Sequence, residues 1–163
     1  MTEVLIALGS NLGERRRMLA SAIERLRPAV AVSARSCVYE TAPMYVTDQP
    51  AFLNMAVRGL TTFSPDELLR RLKSIEEELG REPTVRYGPR AIDLDILYYG
   101  ERVVESDHLT IPHPGIAARA FVLAPLMDIA PDWPDPVHGQ KVRVLHARVA
   151  GLESVQKAEP AEL

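Results

Sequence analysis

The chain has little cysteine, little excess charge of either sign and no long apolar run. Its single cysteine, Cys37, excludes an internal disulfide and fits a reducing compartment, with the cytoplasm as the expectation. Lys+Arg 19 against Asp+Glu 22 leaves a formal charge of -3, so no broad basic footprint exists for a nucleic-acid duplex or an anionic membrane, and any anion must be held by a local cluster. Nowhere do about 18 consecutive apolar residues occur. The opening "MTEVLIALGS" has neither a basic region before its apolar run nor a small-residue cleavage pattern after it, which argues against an export signal. The phosphate-binding pattern G-x-x-x-x-G-K-[ST] is missing, and "GSNLG" is not a G-x-G-x-x-G fingerprint. Phosphate binding would therefore have to rest on metal and arginine. Internal repeats and low-complexity segments are absent as well.

With 163 residues and 47% apolar content, the chain can bury most of its apolar surface in one core and is too short to divide comfortably, so residues 1–163 read as one domain. Val4 to Leu8 is short, wholly apolar and closed by Gly9, as a central strand would be. Met18, Leu19, Ala22, Ile23 and Leu26 recur at helical spacing until Pro28. Ser10 or Asn11 should cap that helix, and Arg15, Arg16 and Arg17 at its start read as a solvated face. Strands are expected over Val30–Tyr39 and Phe52–Thr62. Ser64, Pro65 and Glu67 announce a capped helix, Leu68, Leu69, Leu72, Ile75 and Leu79 give it a buried stripe, and Gly80 can stop it. Asp93–Tyr99 reads as a strand, with Val103 and Val104 in a short hairpin partner. Six prolines between 112 and 136 predict loops around one short helix near Ala117–Met127, and residues 153–163 are expected to fray. The order suggests an α+β sandwich with helices packed on an antiparallel or mixed sheet.

Chemistry is concentrated in "RYGPRAIDLDILYYG", residues 86–100. Strand alternation puts Asp93 and Asp95 on one side and Leu94 and Ile96 on the other, with the aspartate α-carbons about 6.5 to 7 Å apart. Two like charges at that range repel, and burial adds desolvation, so the pair needs a cation. One solution is arginine pairing at a sheet edge, for instance with Arg90. The other is Mg²⁺, which prefers hard carboxylate oxygens, and a pair of ions about 3.5 to 4 Å apart would serve two-metal phosphoryl chemistry. Arg81, Arg86 and Arg90 in the preceding ten residues are suited to a polyphosphate. His113 sits in a rigid loop between two prolines, with Arg119 six positions later at the start of the expected helix. Thr41, Pro43, Met44, Phe52 and Asn54 could wall a pocket for a flat heterocycle, or some could simply be core.

Taken together, "GSNLG", "ETAP…DQPAFLN", "GR…RYGPRAIDLDI" and "LTIPHPGIAARAFVLAPL" closely resemble the 6-hydroxymethyl-7,8-dihydropterin pyrophosphokinase family of folate biosynthesis. The resemblance implies a ferredoxin-like α+β fold, usually monomeric, that moves the β,γ-diphosphate of ATP to the pterin hydroxymethyl group and releases AMP. It implies that Asp93 and Asp95 hold two magnesium ions, with Asp95 also orienting or deprotonating the attacking hydroxyl. It matches Arg81 and Arg90 to catalytic-loop arginines that meet the triphosphate. His113 and Arg119 match phosphate-binding groups, Thr110 and Ile96 positions near the nucleotide, and Glu76 a ribose or adenosine contact. The pterin set comprises Thr41, Pro43, Met44, Phe52, Asn54, Tyr87, Asp93 and Phe121, with Phe52 and Phe121 sandwiching the ring. Against the family pattern the 81–90 loop is one residue shorter, Tyr87 stands where tryptophan is frequent, Phe52 where tyrosine is frequent, Pro114 in place of a common tyrosine and His108 in place of a common arginine.

Two other readings compete. A nucleotidyltransferase of the polymerase-β type also pairs a "GS" turn with D-x-D, but close together, whereas Ser10 and Asp93 are 83 positions apart. A non-catalytic ferredoxin-like ligand-binding module would have no need of a carboxylate pair facing three arginines.

Overall fold

The computed structural model describes residues 1–41, 50–80 and 91–163. The elements are β1 (Thr2–Ser10), α1 (Arg15–Arg25), β2 (Val30–Arg35), β3 (Tyr39–Thr41), β4 (Phe52–Thr61), α2 (Pro65–Glu78), β5 (Asp93–Tyr99), β6 (Val104–Glu105), β7 (Thr110–Ile111), α3 (Ala120–Ile129), β8 (Pro134–Asp135), β9 (Gln140–Lys141), α4 (Val142–Arg148) and β10 (Val155–Lys157).

β1 is central because it is apolar on both faces: Val4, Ile6 and Leu8 face one helical layer and Leu5 the other, all at most 1% exposed. It pairs with β4 and β5, and the main sheet runs β10-β3-β4-β1-β5, with β2 on β4 beside β3. Every described pairing is antiparallel, which settles the antiparallel-or-mixed alternative. The β-α-β-β-α-β order of this sheet is the ferredoxin-like arrangement.

One face is covered by α1 and α2 through Leu19, Ala22, Leu26, Leu68, Leu72 and Ile75. Fully burying each leucine stabilises the fold by about 2 kcal/mol. The expected capping box closes α2: the Ser64 Oγ accepts from the Glu67 N–H at 3.2 Å, and the Glu67 carboxylate accepts from the Ser64 N–H at 2.8 Å. The other face is covered by α3 and α4 through Leu123, Leu126, Val142 and Leu145. At the far end of that layer the Tyr98 hydroxyl donates to the buried Asp135 carboxylate at 2.5 Å, tying β5 to the β8–β9 hairpin.

Several expectations are corrected. The strand over Val30–Tyr39 is two strands, because Ser36 interrupts it: its N–H donates to the Ala56 carbonyl and its Oγ accepts from the Ala56 N–H, both at 2.9 Å. Val104 pairs forward with Ile111 in β6–β7 instead of back onto β5. α1 begins at Arg15 with Glu14 at its cap position and no side-chain cap, since Ser10 still belongs to β1 and Asn11 is fully buried with its amide turned to Pro50. Arg15 and Arg16 are not merely solvated: Arg15 reaches Ala51 and Arg16 reaches Pro160 and Glu162. Residues 153–163 do not fray. β10 pairs with β3, Ala158 is 5% exposed, and the Val38 N–H donates to the Ala161 carbonyl. The tail's polar pattern disguised an edge strand whose stability comes from the backbone ladder rather than from apolar side chains.

Candidate active site

The β1–β4–β3 and β1–β5 registers place Tyr39, Asn54, Gly9 and Asp93 side by side in one row across four strands. At the ordinary strand spacing, Asn54 and Asp93 stand about 10 Å apart with Gly9 between them. The next row inward brings Ala56, Ala7 and Asp95 together. Leu94 and Ile96, 5% and 4% exposed, point into the α1/α2 core, so Asp93 and Asp95 project to the opposite face, both half-buried. The strand alternation expected for the aspartates is therefore the one observed. A bulge at Leu97, where Ile6 faces Ile96 but Leu5 faces Tyr98, turns both Leu97 and Tyr98 into the α3/α4 core beyond the pair.

Small residues on β1 keep the floor between the walls low. A Cβ on Gly9 would stand 2.8 Å from the Asn54 Oδ1 and 3.8 Å from the Phe52 ring. Asn54 is fixed in turn, since its Nδ2 donates to the Thr41 Oγ1 at 2.7 Å, and both residues are buried. Thr41 lies opposite Phe52 in the β3–β4 ladder. Thr41, Phe52 and Asn54 thus form one wall, with Asp93 and Asp95 on the strand beyond Gly9.

The α3 layer supplies the facing side. Arg119 precedes α3 and its guanidinium carbon lies 5.9 Å from the centre of the Phe121 ring. Gly115 makes room for it: a Cβ there would come within 2.7 Å of the Arg119 Nε. The His113 N–H donates to the Leu97 carbonyl at 3.1 Å, and its Nδ1 accepts from the Gly115 N–H at 3.1 Å. Burial holds the His113 imidazole below the usual histidine range; the Arg119 cation pushes the same way and the Asp93 carboxylate opposes both. His113 is thus neutral at pH 7 with its proton on Nε2, so that it can donate a hydrogen bond while adding no charge.

Thr41, Phe52, Asn54, Asp93, Asp95, His113, Arg119 and Phe121 accordingly come from the face and loops of one layer pair. Glu76 and Ile96 do not join them. The Ile96 side chain packs behind the sheet, and the Glu76 carboxylate, 5% exposed, accepts from the Leu94 N–H at 2.8 Å on the outer flank of β5. Thr110 is exposed on β7. Pro43, Met44, Arg81, Tyr87 and Arg90 lie outside the described residues. Sequence reasoning missed Gly9 and Gly115 as members of the site. Their signal was a glycine beside each polar motif, legible only once the register put Asn54 over one and Arg119 over the other.

The donor chemistry of Asp93 and Asp95 fits Mg²⁺. Among the described residues no cluster of three His, Cys, Asp or Glu side chains could hold a metal by itself. Two carboxylates on one face of a strand suit an ion that shares its remaining positions with substrate phosphates and water.

Comparison with known proteins follows the same lines. The family model for 7,8-dihydro-6-hydroxymethylpterin-pyrophosphokinase (HPPK) matches residues 5–131. The chain is 44% identical over 160 residues to the 2-amino-4-hydroxy-6-hydroxymethyldihydropteridine pyrophosphokinase of Methylorubrum extorquens, covering 96% of this chain and 100% of that one. It is 54% identical over 128 residues to a mitochondrial folate synthesis bifunctional protein of Arabidopsis thaliana, covering 78% of this chain and 23% of the relative. The chain thus spans about a quarter of the length of the plant relatives it matches. A crystal structure of wild-type Plasmodium falciparum HPPK-DHPS superposes with a TM-score of 0.71 at 17% identity, over 91% of this chain and 43% of that one, and shares its fold.

Proposed function

This chain belongs to the 7,8-dihydro-6-hydroxymethylpterin-pyrophosphokinase family, and from that premise we propose that it transfers the β,γ-diphosphate of ATP to the hydroxymethyl group of 6-hydroxymethyl-7,8-dihydropterin and releases AMP. The observation that carries the reading is the shared face of Asp93 and Asp95, one strand away from the Gly9–Asn54 floor and within electrostatic reach of His113.

In this reading the pterin lies between Phe52 and Phe121, with Asn54 and Thr41 reading its polar edge, since aromatic faces and a fixed amide suit a flat heterocycle. Asp93 and Asp95 would hold two Mg²⁺ ions, which when bound would neutralise phosphate charge and draw electron density from phosphorus. The pterin hydroxyl oxygen attacks the β-phosphorus, and the bond from that phosphorus to the oxygen shared with the α-phosphorus breaks. AMP leaves with that oxygen, and the hydroxyl proton passes to Asp95. Arg119 and the His113 Nε2–H bind phosphate oxygens, while Arg81 and Arg90 steady the charge on AMP and on the transferred group. Thr110 and the backbone of Ile96 serve the nucleoside end, as does Glu76 through Leu94, whose N–H it already holds.

The whole of residues 1–163 acts in this reading as one domain and as a monomer in the cytoplasm, on small molecules rather than on nucleic acid or a membrane. Among the described residues no helix is long and apolar enough to cross a membrane. The test is to incubate the protein with ATP, Mg²⁺ and the pterin alcohol and identify the nucleotide product. AMP together with pterin diphosphate supports the reading. Pyrophosphate release would instead indicate a nucleotidyltransferase, against which Ser10 already weighs by facing away from Asp93 on β1. No turnover would leave a binding module.

A further inference from the structure

Two side chains of the β1–α1 segment reach across to consecutive backbone carbonyls just ahead of β4. The Asn11 Nδ2 donates to the Pro50 carbonyl at 3.1 Å, and the Arg15 Nη1 donates to the Ala51 carbonyl at 2.8 Å. The chain separations are 39 and 36 residues. Arg15 also lies 3.8 Å from the Glu40 carboxylate on β3, which joins the grip to the strand that carries Thr41.

The position of the grip matters more than its strength. The β4 ladder begins at Phe52, opposite Thr41, and continues through Leu53, opposite Ser10. Pro50 and Ala51 precede it and have no place in the ladder. Nothing in the strand register therefore fixes the backbone immediately before Phe52. Asn11 and Arg15 do. Losing the Arg15 contact would leave the sheet paired and the core packed while releasing the peptide that leads into the Phe52 ring. The exposed Arg17, one position further from Arg16 on the same helix, lies outside this grip.

We infer that Arg15 is a positioning residue for the heterocycle site: by holding the Ala51 carbonyl, beside Asn11 on Pro50, it sets the approach of Phe52 and so the affinity for the pterin, not for ATP. The inference takes its substrate from the pyrophosphokinase reading. A charge-assisted hydrogen bond of this kind, partly screened at the surface, is worth about a five- to tenfold change in binding.

The experiment compares the wild-type chain with Arg15→Ala, Arg15→Lys and Arg17→Ala, measuring KM for each substrate, kcat and thermal stability. Arg15→Ala should raise the pterin KM about five- to tenfold, with ATP KM and kcat within about twofold of wild type and an unchanged melting temperature. Arg15→Lys, which keeps a donor, should recover most of the loss, and Arg17→Ala, which removes the same charge from the same helix, should match wild type. An unchanged pterin KM in Arg15→Ala, a parallel rise in both KM values, or an equal effect of Arg17→Ala would overturn the inference. If the wild-type chain itself makes no AMP, the pyrophosphokinase reading fails instead. The positioning role is then read from titration of the pterin alone, where equal affinity for wild type and Arg15→Ala rejects it.

Discussion

Gly9 and Asn54 meet across the central strand pair with no room for a methyl group between them: a Cβ on Gly9 would lie 2.8 Å from the Asn54 Oδ1. Asn54 cannot retreat without losing Thr41, to which its Nδ2 donates at 2.7 Å. Gly9→Ala should therefore displace the amide and weaken pterin binding at least about tenfold, with a stability loss of about 1 to 3 kcal/mol from overpacking. Fluorescence titration with the pterin and a denaturant melt check both parts, and undiminished affinity would remove Asn54 from the recognition of the ring.

Asp95→Ala should abolish AMP release, by on the order of 10²- to 10³-fold or more, while reducing pterin affinity only modestly, because the Asn54–Thr41 wall stands two strands away. Single-turnover AMP formation is the measurement. Full activity in the variant would show that Asp95 neither holds the metal nor takes the proton.

His113 makes apo stability depend on pH. Its folded pKa is depressed from the unfolded value of 6.5, first by burial and then by the Arg119 cation, with Asp93 opposing. The unfolded chain therefore binds more protons in the window below 6.5, so the contribution is full above that pH and is lost as pH falls through the folded pKa. The melting temperature of ligand-free protein should fall more steeply below pH 6.5 in the wild type than in His113→Gln. Parallel curves for the two would show that burial of the imidazole costs nothing.

Removing residues 155–163 should destabilise the protein by about 2 to 3 kcal/mol, because it takes away a ladder on β3, the Arg16 contacts to the tail and the buried Ala158. It should also expose the β3 edge and promote association. Thermal melts and light scattering test this, and a truncated chain as stable and monodisperse as the intact one would contradict it.

What the sequence made legible follows from where a local pattern determines the outcome. Ser64, Pro65 and Glu67 specify the start of α2 by direct local hydrogen bonding, and the D-x-D of β5 follows from two-residue alternation alone. Ser36 breaks a strand through a bond to Ala56, twenty positions on, which no window of neighbouring residues contains. The same holds for Asn11, whose amide resembles a helix cap in sequence and is used on Pro50 in space, and for Arg16, whose charge suggested solvent. In the site, the shared face of Asp93 and Asp95 was readable. Gly9 and Gly115 were not, because their role is the space they leave for residues distant in the sequence.

The carboxylate of Glu76, held against the Leu94 N–H on β5 at one end of the described sheet, has a further effect. A foreign polypeptide seeking to extend the sheet along β5 would have to strip a nearly water-free acid of that donor, a penalty of about 1 to 3 kcal/mol or more before any new bond formed. Together with the His113 N–H, which occupies the Leu97 carbonyl of the same strand, the Glu76 carboxylate guards the flank bearing the aspartate pair against self-templating at crowded concentrations.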